Sequence, residues 1–342
     1  MSRVLRQTNY QLKRCYSLRN FDLCKEINQR EGMFMNYQKG PFSNSILDRE
    51  LAILDCYPGG NDTYLVVAPR ISREDYPRAN KVVLERFPVF EQGGFVEPAT
   101  NQAAVARLQM AGGEFCGNAT RACAALLADD MLGNSQFGSL FNYSTAEASE
   151  GSLTFRLEVS GTEQSIEATV VRYGDGWWAS VGIPLPLREV DTRAVTLRIA
   201  ETDCLATVVQ LEGITHILVL ESDLPFKKDA SWMNSCLKEA VRQLALEDLP
   251  ALGLIWVSRE ADAFAIKPIV WVRALGTCFY ESACGSGSAA LAIAMARRGS
   301  VGLKSTYRIF QPSEQPLEVS VVKTPEGWHQ SCDALRTSVP AW

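Results

Sequence analysis

Two of the ten cysteines stand in settings suited to chemistry. Cys116 ends a polar, glycine-rich turn within Gly112 to Leu127 (GGEFCGNATRACAALL) and opens an Ala/Leu-rich helix. Cys284 does the same within Ser282 to Met295 (SACGSGSAALAIAM), 168 residues later, about half the length of the 342-residue chain. A cysteine at a helix N-terminus lies beside unpaired backbone N–H groups and the positive end of the dipole. Both favour thiolate over thiol, so a lowered pKa is expected at each. Gly117, and Gly285 with Gly287, let a ligand come close to the backbone. The same N–H groups bind anions such as a carboxylate. Two such helix ends facing each other would hold one carboxylate between a thiolate that removes the α-proton and a thiol that protonates the opposite face. That is racemisation without a cofactor, and it needs the motif twice. Cys15, Cys24, Cys56, Cys123, Cys204, Cys236 and Cys332 read instead as small buried hydrophobes; Cys278, six residues before Cys284, stays open.

The elements that must position these cysteines follow a repeated plan. Leu51 to Cys56 and Tyr64 to Val67 read as strands around the turn Gly59-Gly60-Asn61-Asp62. That turn is either a plain hairpin connection or a loop offering the Asn61 amide to a ligand. Ala79 to Phe87 suggests a short helix. Residues 116–132 are apolar around the whole helix, which belongs inside a domain. Between 139 and 183 the runs LTFRLEV, SIEATVV and WWASVGI alternate as strands, and the Gly174-Asp175-Gly176 turn marks a candidate domain crossing. Thr207 to Leu220 gives two strands around Gly213-Ile214-Thr215-His216. Ser235 to Leu246 is an amphipathic helix, and Leu252 to Val257 and Ala265 to Val272 are strand-like. Ser288 to Arg298 is a second helix apolar almost all round, with Gly299 as its stop. The tail is again β. The expectation is two strand-rich halves, each wrapped about one buried helix, without the regular alternation of a Rossmann sheet. The limits are an extension over 1–47, a first domain over 48–173 with 326–342, and a second over 174–325.

Bulk properties narrow the class. The chain is 46% hydrophobic and 21% charged with a net charge of −5, which points away from nucleic acid and anionic membranes. No apolar run approaches the roughly 18 residues of a membrane span. The scattered cysteines fit a reduced, cytoplasmic setting better than a disulfide scaffold. With only His216 and His329 and no C-x-x-C pair, no metal site is expected. The first 21 residues carry five basic residues and no acid before Asp22. They read as a loose extension, a start placed too early with Met33 or Met35 as the true one, or a transit-like segment lacking an amphipathic stripe.

At the cysteine motifs the chain resembles the diaminopimelate epimerase family. Cys116-Gly117-Asn118-Ala119-Thr120-Arg121 is similar to that family's C-G-N-G-x-R element, and Ala283-Cys284-Gly285-Ser286-Gly287 to its A-C-G-[ST]-G element. Gly59 to Tyr64 resembles the early G-x-G-N-D-F turn, Gly213 to His216 the G-N-P-H element, and Val272-Arg273-Ala274 the E-R-G run. The likeness spans roughly 51–342. It implies an α/β (α+β) fold of two pseudo-symmetric domains, each a curled, mostly antiparallel sheet around a central helix, with the site between them. It also implies a two-base, cofactor-free reaction on a small amino acid, and a homodimer. Family asparagines that grip the far end of diaminopimelate are missing: Ile214, Met110 and Ala251-Leu252 stand near their places. Val272 replaces the E-R-G glutamate, while Glu281 stands three residues before Cys284. Such a site would leave a polar substrate end without partners. Tyr57 to Asn61, Met110 to Thr120, Glu281 to Gly287 and Gln311-Pro312 are more similar to the branch of histidine racemases of metallophore biosynthesis, which makes histidine the first substrate to consider. By this resemblance Cys116 and Cys284 are the acid–base pair. Gly117, Asn118, Gly285, Ser286 and Gly287 hold the carboxylate, with Arg273 assisting by bidentate pairing. Asn61, His216 and Glu281 are candidates for the amino group, proton traffic or the side-chain end, the alternatives being a satisfied, half-buried histidine for His216 and a structural helix-entry carboxylate for Glu281. The alternatives are diaminopimelate epimerisation, another carbon-acid isomerisation, and an inactive amino-acid binding protein.

Overall fold

A computed structural model describes residues 15–17, 52–67, 71–133, 137–149, 151–173, 176–184, 192–260, 263–298, 304–322 and 336–340. The rest of the N-terminal extension, Gly174, Asp175, Gly299, His329 and Cys332 lie outside the described residues. In chain order the first half holds β1 (Cys15–Ser17), β2 (Ala52–Cys56), β3 (Thr63–Val67), α1 (Tyr76–Arg86), β4 (Gln92–Glu97), β5 (Ala106–Met110), α2 (Gly117–Leu132), β6 (Glu147–Ser149), β7 (Ser152–Val159), β8 (Ile166–Tyr173) and β9 (Gly176–Gly182). The second holds β10 (Thr192–Ile199), β11 (Thr202–Gln210), β12 (Thr215–Leu220), α3 (Ala230–Leu244), β13 (Ala251–Glu260), β14 (Ala263–Val272), β15 (Thr277–Tyr280), α4 (Gly285–Arg298), β16 (Lys304–Phe310), β17 (Pro316–Val322) and β18 (Arg336–Pro340).

The pairings show the pseudo-symmetry. In the first half β2–β3 is antiparallel, β3–β4 parallel, β4–β5 antiparallel, β5–β7 parallel, and β7–β8 and β8–β9 antiparallel. The second repeats that order through β11–β12, β12–β13, β13–β14, β14–β16, β16–β17 and β17–β18. A parallel pair needs a crossover. α1 and α3 cross at the first parallel pair of each half, and α2 and α4 at the second. The C-terminal strand β18 pairs with β17 on one side and with β9 on the other, joining the two ladders.

Each curled sheet closes over its own central helix. Ala119, Ala122, Cys123, Ala124, Ala125 and Leu127 of α2 and Ala289, Ala290, Ala292 and Ala296 of α4 are fully buried. Small side chains on every face of these helices let the strands approach from all sides. The helices differ from the sequence expectation at their starts. α3 begins at Ala230 because the Asp229 carboxylate accepts from the Trp232 N–H at 2.7 Å and caps it there. α4 begins at Gly285, immediately after its cysteine. Within the extension, Cys15–Ser17 pairs with Ala52–Leu54. Among the described residues no helix is long and apolar enough to cross a membrane.

Candidate active site

Each cysteine caps its own helix. Cys116 has an extended backbone (φ −132°, ψ 111°), and its Sγ accepts from the Ala119 N–H at 3.4 Å. Cys284 Sγ accepts from the Gly287 N–H at 3.3 Å. Four residues on, Thr120 Oγ1 donates to Cys116 O at 2.7 Å and Ser288 Oγ to Cys284 O at 2.8 Å. The two turns are thus built alike, bond for bond. They also touch: a Cβ on Gly285 would stand 3.6 Å from Gly117 Cα, and one on Gly117 3.9 Å from Gly285 Cα. Both cysteines line one recess.

Other sequence-derived candidates divide by position. Asn61, Gly117, Asn118, Glu281, Gly285 and Ser286 line the recess with the cysteines. Asn61 takes a left-handed conformation (φ 62°), and its N–H donates to Ser282 Oγ at 2.6 Å. The side-chain amides of Asn61 and Asn118 both donate to Ala283 O, at 3.1 and 2.9 Å. Asn118 therefore ties the two motifs together rather than pointing a free amide at a ligand. Gly287 gives its N–H to the Cys284 sulfur. His216 is fully buried behind the recess wall, its Nε2 3.0 Å from Ser286 Oγ, which lies 3.6 Å from Cys284 Sγ. Gly253 makes room for this ring, since a Cβ there would stand 2.2 Å from Nδ1. Burial lowers the His216 pKa to about 3, so the imidazole is neutral. Arg273 is not brought to the recess. Its side chain is 51% exposed and pairs with Asp248 at 3.3 Å, because the helical turn Arg273–Leu275 carries it outward past the end of β14.

The electrostatics correct the expectation of acidic thiols. The Cys116 pKa is pushed up to about 12, first by burial and then by the Glu281 charge, with the Ala119 N–H opposing. Cys284 is raised too, by burial first and then by Glu281. A helix-end N–H stabilises a thiolate, but desolvation in this recess outweighs it. Burial also raises Glu281 to about 8 and Glu114 to about 7.

Three neighbours of the cysteines had no role in the sequence reading, although Arg121 closes the Cys116 motif. Glu114 lines the recess with a buried Oε2 that accepts no hydrogen bond among the described residues; its only signal was an acid two residues before Cys116. Gln92, on β4, accepts from the Cys116 thiol at 3.0 Å. Its orientation is fixed: Thr63 Oγ1 donates to Asn61 O and so accepts from Gln92 Nε2, both at 2.8 Å, leaving Oε1 toward the sulfur. No local pattern marks that strand glutamine. Arg121, fully buried beside Asn118, is the third. Of the positions where family asparagines are missing, Ile214 lines the recess, as does Val272 in place of the glutamate; Met110, Ala251 and Leu252 lie in the core. Among the described residues no group of three or more His, Cys, Asp or Glu is placed to hold a metal ion.

A family model described as the histidine racemase CntK N-terminal domain matches residues 50–329. The chain belongs to this histidine racemase family. It is 27% identical over 253 residues to a histidine racemase of Fusobacterium nucleatum subsp. nucleatum, covering 72% of this chain and 82% of that one. A histidine racemase of Staphylococcus aureus (strain Mu50) is 23% identical over 238 residues, covering 69% and 76%. The fold of this family member is shared with a probable proline racemase from Agrobacterium radiobacter K84 with bound carbonate, at TM-score 0.57 and 15% identity over 85% of this chain and 90% of that one. A hydroxyproline epimerase from Agrobacterium vitis with bound trans-4-OH-L-proline matches at TM-score 0.56 and 13% identity over 85% and 89%. The racemase-family chain is thus an isomerase of the racemase and epimerase kind, with two pseudo-symmetric domains.

Proposed function

We propose that this isomerase racemises histidine by a two-base, cofactor-independent transfer between Cys116 and Cys284. The observation that carries the reading is the meeting of two helix ends, each capped by its own cysteine, at one recess. The substrate carboxylate sits at the N-termini of α2 and α4, where the N–H groups stabilise the charge that builds on it. One sulfur takes the α-proton, the C–H electron pair moves into the carboxylate-stabilised carbanion, and the S–H across the recess returns a proton to the other face. Either sulfur starts, according to the hand of the substrate.

A thiol at about 12 is ionised in only about one molecule in ten thousand at pH 8. The substrate ammonium, arriving beside Glu281 and Glu114, offsets the acidic field that adds to burial in keeping the thiols protonated. Glu281, which lines the recess with Cys284, takes up that thiol's proton in this reading. Ile214 and Val272 in the recess wall favour a flat or apolar side-chain body over the charged far end of diaminopimelate. We further propose a homodimer in the cytoplasm. The domain division near 173/174, with 326–342 returning to the first domain, belongs to this proposal, and pairing of β18 with β9 supports the return.

The test is exchange of the α-proton of L-histidine in D2O by reduced enzyme, with chiral chromatography and with diaminopimelate and proline alongside. D-histidine carrying α-deuterium is expected, and Cys116→Ala and Cys284→Ala should each lose at least about a hundredfold in racemisation. Normal turnover by either variant would sink the two-base reading. Exchange with diaminopimelate alone would overturn the substrate.

A further inference from the structure

Arg121 lies fully buried where the two helix ends meet, and no step above uses it. Its Nη2 donates to Asn118 Oδ1 at 2.5 Å and to Pro58 O at 3.2 Å. Its Nη1 lies 3.5 Å from the point where a Cβ on Gly285 would stand, at the first residue of α4. With its oxygen held toward Arg121, the Asn118 amide must aim Nδ2 the other way. There it meets Ala283 O at 2.9 Å, in the residue before Cys284. One line of hydrogen bonds therefore runs from α2 through Arg121 and Asn118 to the segment that delivers the second cysteine.

A buried guanidinium is costly unless its hydrogen bonds are made and its charge is offset. A racemase must ionise either thiol, so a cation beside one sulfur alone would bias the enzyme toward one hand. A cation at the junction of the helix ends serves both, and its charge couples to Cys116 and to Cys284.

We propose that Arg121 is a positioning residue for both cysteines: through Asn118 it fixes the spacing of the two helix ends, and its buried charge backs whichever sulfur is ionised. The inference rests on the racemase reading for its mechanistic meaning. Its first test, alkylation, does not need turnover.

The reduced full-length chain is treated with iodoacetamide at pH 9, and alkylation of the Cys116 and Cys284 peptides is followed separately by mass spectrometry. Arg121→Met should slow both about tenfold, the effect of a one-unit rise in each thiol pKa. A merely structural role predicts the opposite, because a loosened site exposes the thiols and speeds alkylation. Arg121→Lys keeps the charge but not the two-way fork. It should alkylate at wild-type rates while kcat for L-histidine falls about tenfold with little change in KM. Unchanged or faster alkylation in Arg121→Met, or slowing at one cysteine only, would overturn the proposal. Should Arg121→Met fail to fold, Asn118→Leu decides: kcat falling about tenfold at wild-type alkylation rates supports the relay, and wild-type kcat refutes it. A wild-type chain that racemises no amino acid would sink the functional reading and leave the alkylation result to judge this one.

Discussion

Glu281 connects acid–base behaviour to stability and to catalysis at a single side chain. Burial holds its folded-state pKa at about 8, from an ordinary value of 4.5. On raising the pH the unfolded chain ionises first, so its stabilisation grows while the folded carboxyl is still protonated. The contribution is full below about 4.5 and is lost as pH rises through about 8. Glu281→Gln cannot ionise and keeps it. Its melting temperature should exceed that of the wild type at pH 9 by about 2 °C or more, the gap closing toward pH 5. Catalysis moves the other way: KM for histidine rises in the variant, and wild-type kcat/KM climbs between pH 7 and 9. Parallel melting profiles across that range would contradict the assigned carboxyl. His216, neutral throughout, adds no limb to the rate profile. Gly253→Ala would drive a Cβ into its ring and break the Ser286 contact. A loss of about 1–3 kcal/mol in denaturant unfolding is expected.

Among the elements, α2 and α4 must do two things at once. Their alanines let strands close around them, while their N-termini meet across the pseudo-twofold at glycine. Gly285→Ala separates these roles. Its Cβ would stand 3.6 Å from Gly117 Cα, an ordinary contact, but 3.1 Å from Asn118 Oδ1, so that this amide must give by a few tenths of an ångström. Alanine also suits a helix better than glycine by up to about 1 kcal/mol. The expected outcome is therefore a kcat lower by about twofold to tenfold, as the Asn118 amide that holds Ala283 shifts, with thermal stability nearly unchanged. Loss of activity in step with loss of folded protein would instead mark Gly285 as a packing residue.

For the whole molecule, β18 is the strand that unites two otherwise parallel constructions, pairing with β9 and β17 together. Deleting residues 336–342 would leave both neighbours with open edges. Separate thermal transitions or self-association, read by calorimetry and size-exclusion chromatography, should follow. A single transition at the wild-type temperature would show that the halves hold without it. Below that level, the cross-half contacts of Asn61, Asn118 and Glu91 all grip Ser282 and Ala283, the two residues that lead into the second cysteine. The second motif is thus held by the first half of the chain as well as by its own, where Gln311 Oε1 accepts from the Cys284 N–H at 2.9 Å.

That division of labour explains what could be read in advance. The cysteine pair, the all-apolar helices, the glycine turns and the repeated plan depend on residues near one another in sequence, and the sequence by itself determined them. The roles of Gln92 and Arg121, the outward turn of Arg273 and the neutrality of His216 depend on which distant groups share a buried volume, and only the tertiary structure decided them. The sign of the thiol pKa belongs there too. A helix N-terminus is a local cause and pulls it down, but desolvation and the field of Glu281 are set by the closed recess, and in low-dielectric surroundings these are the larger.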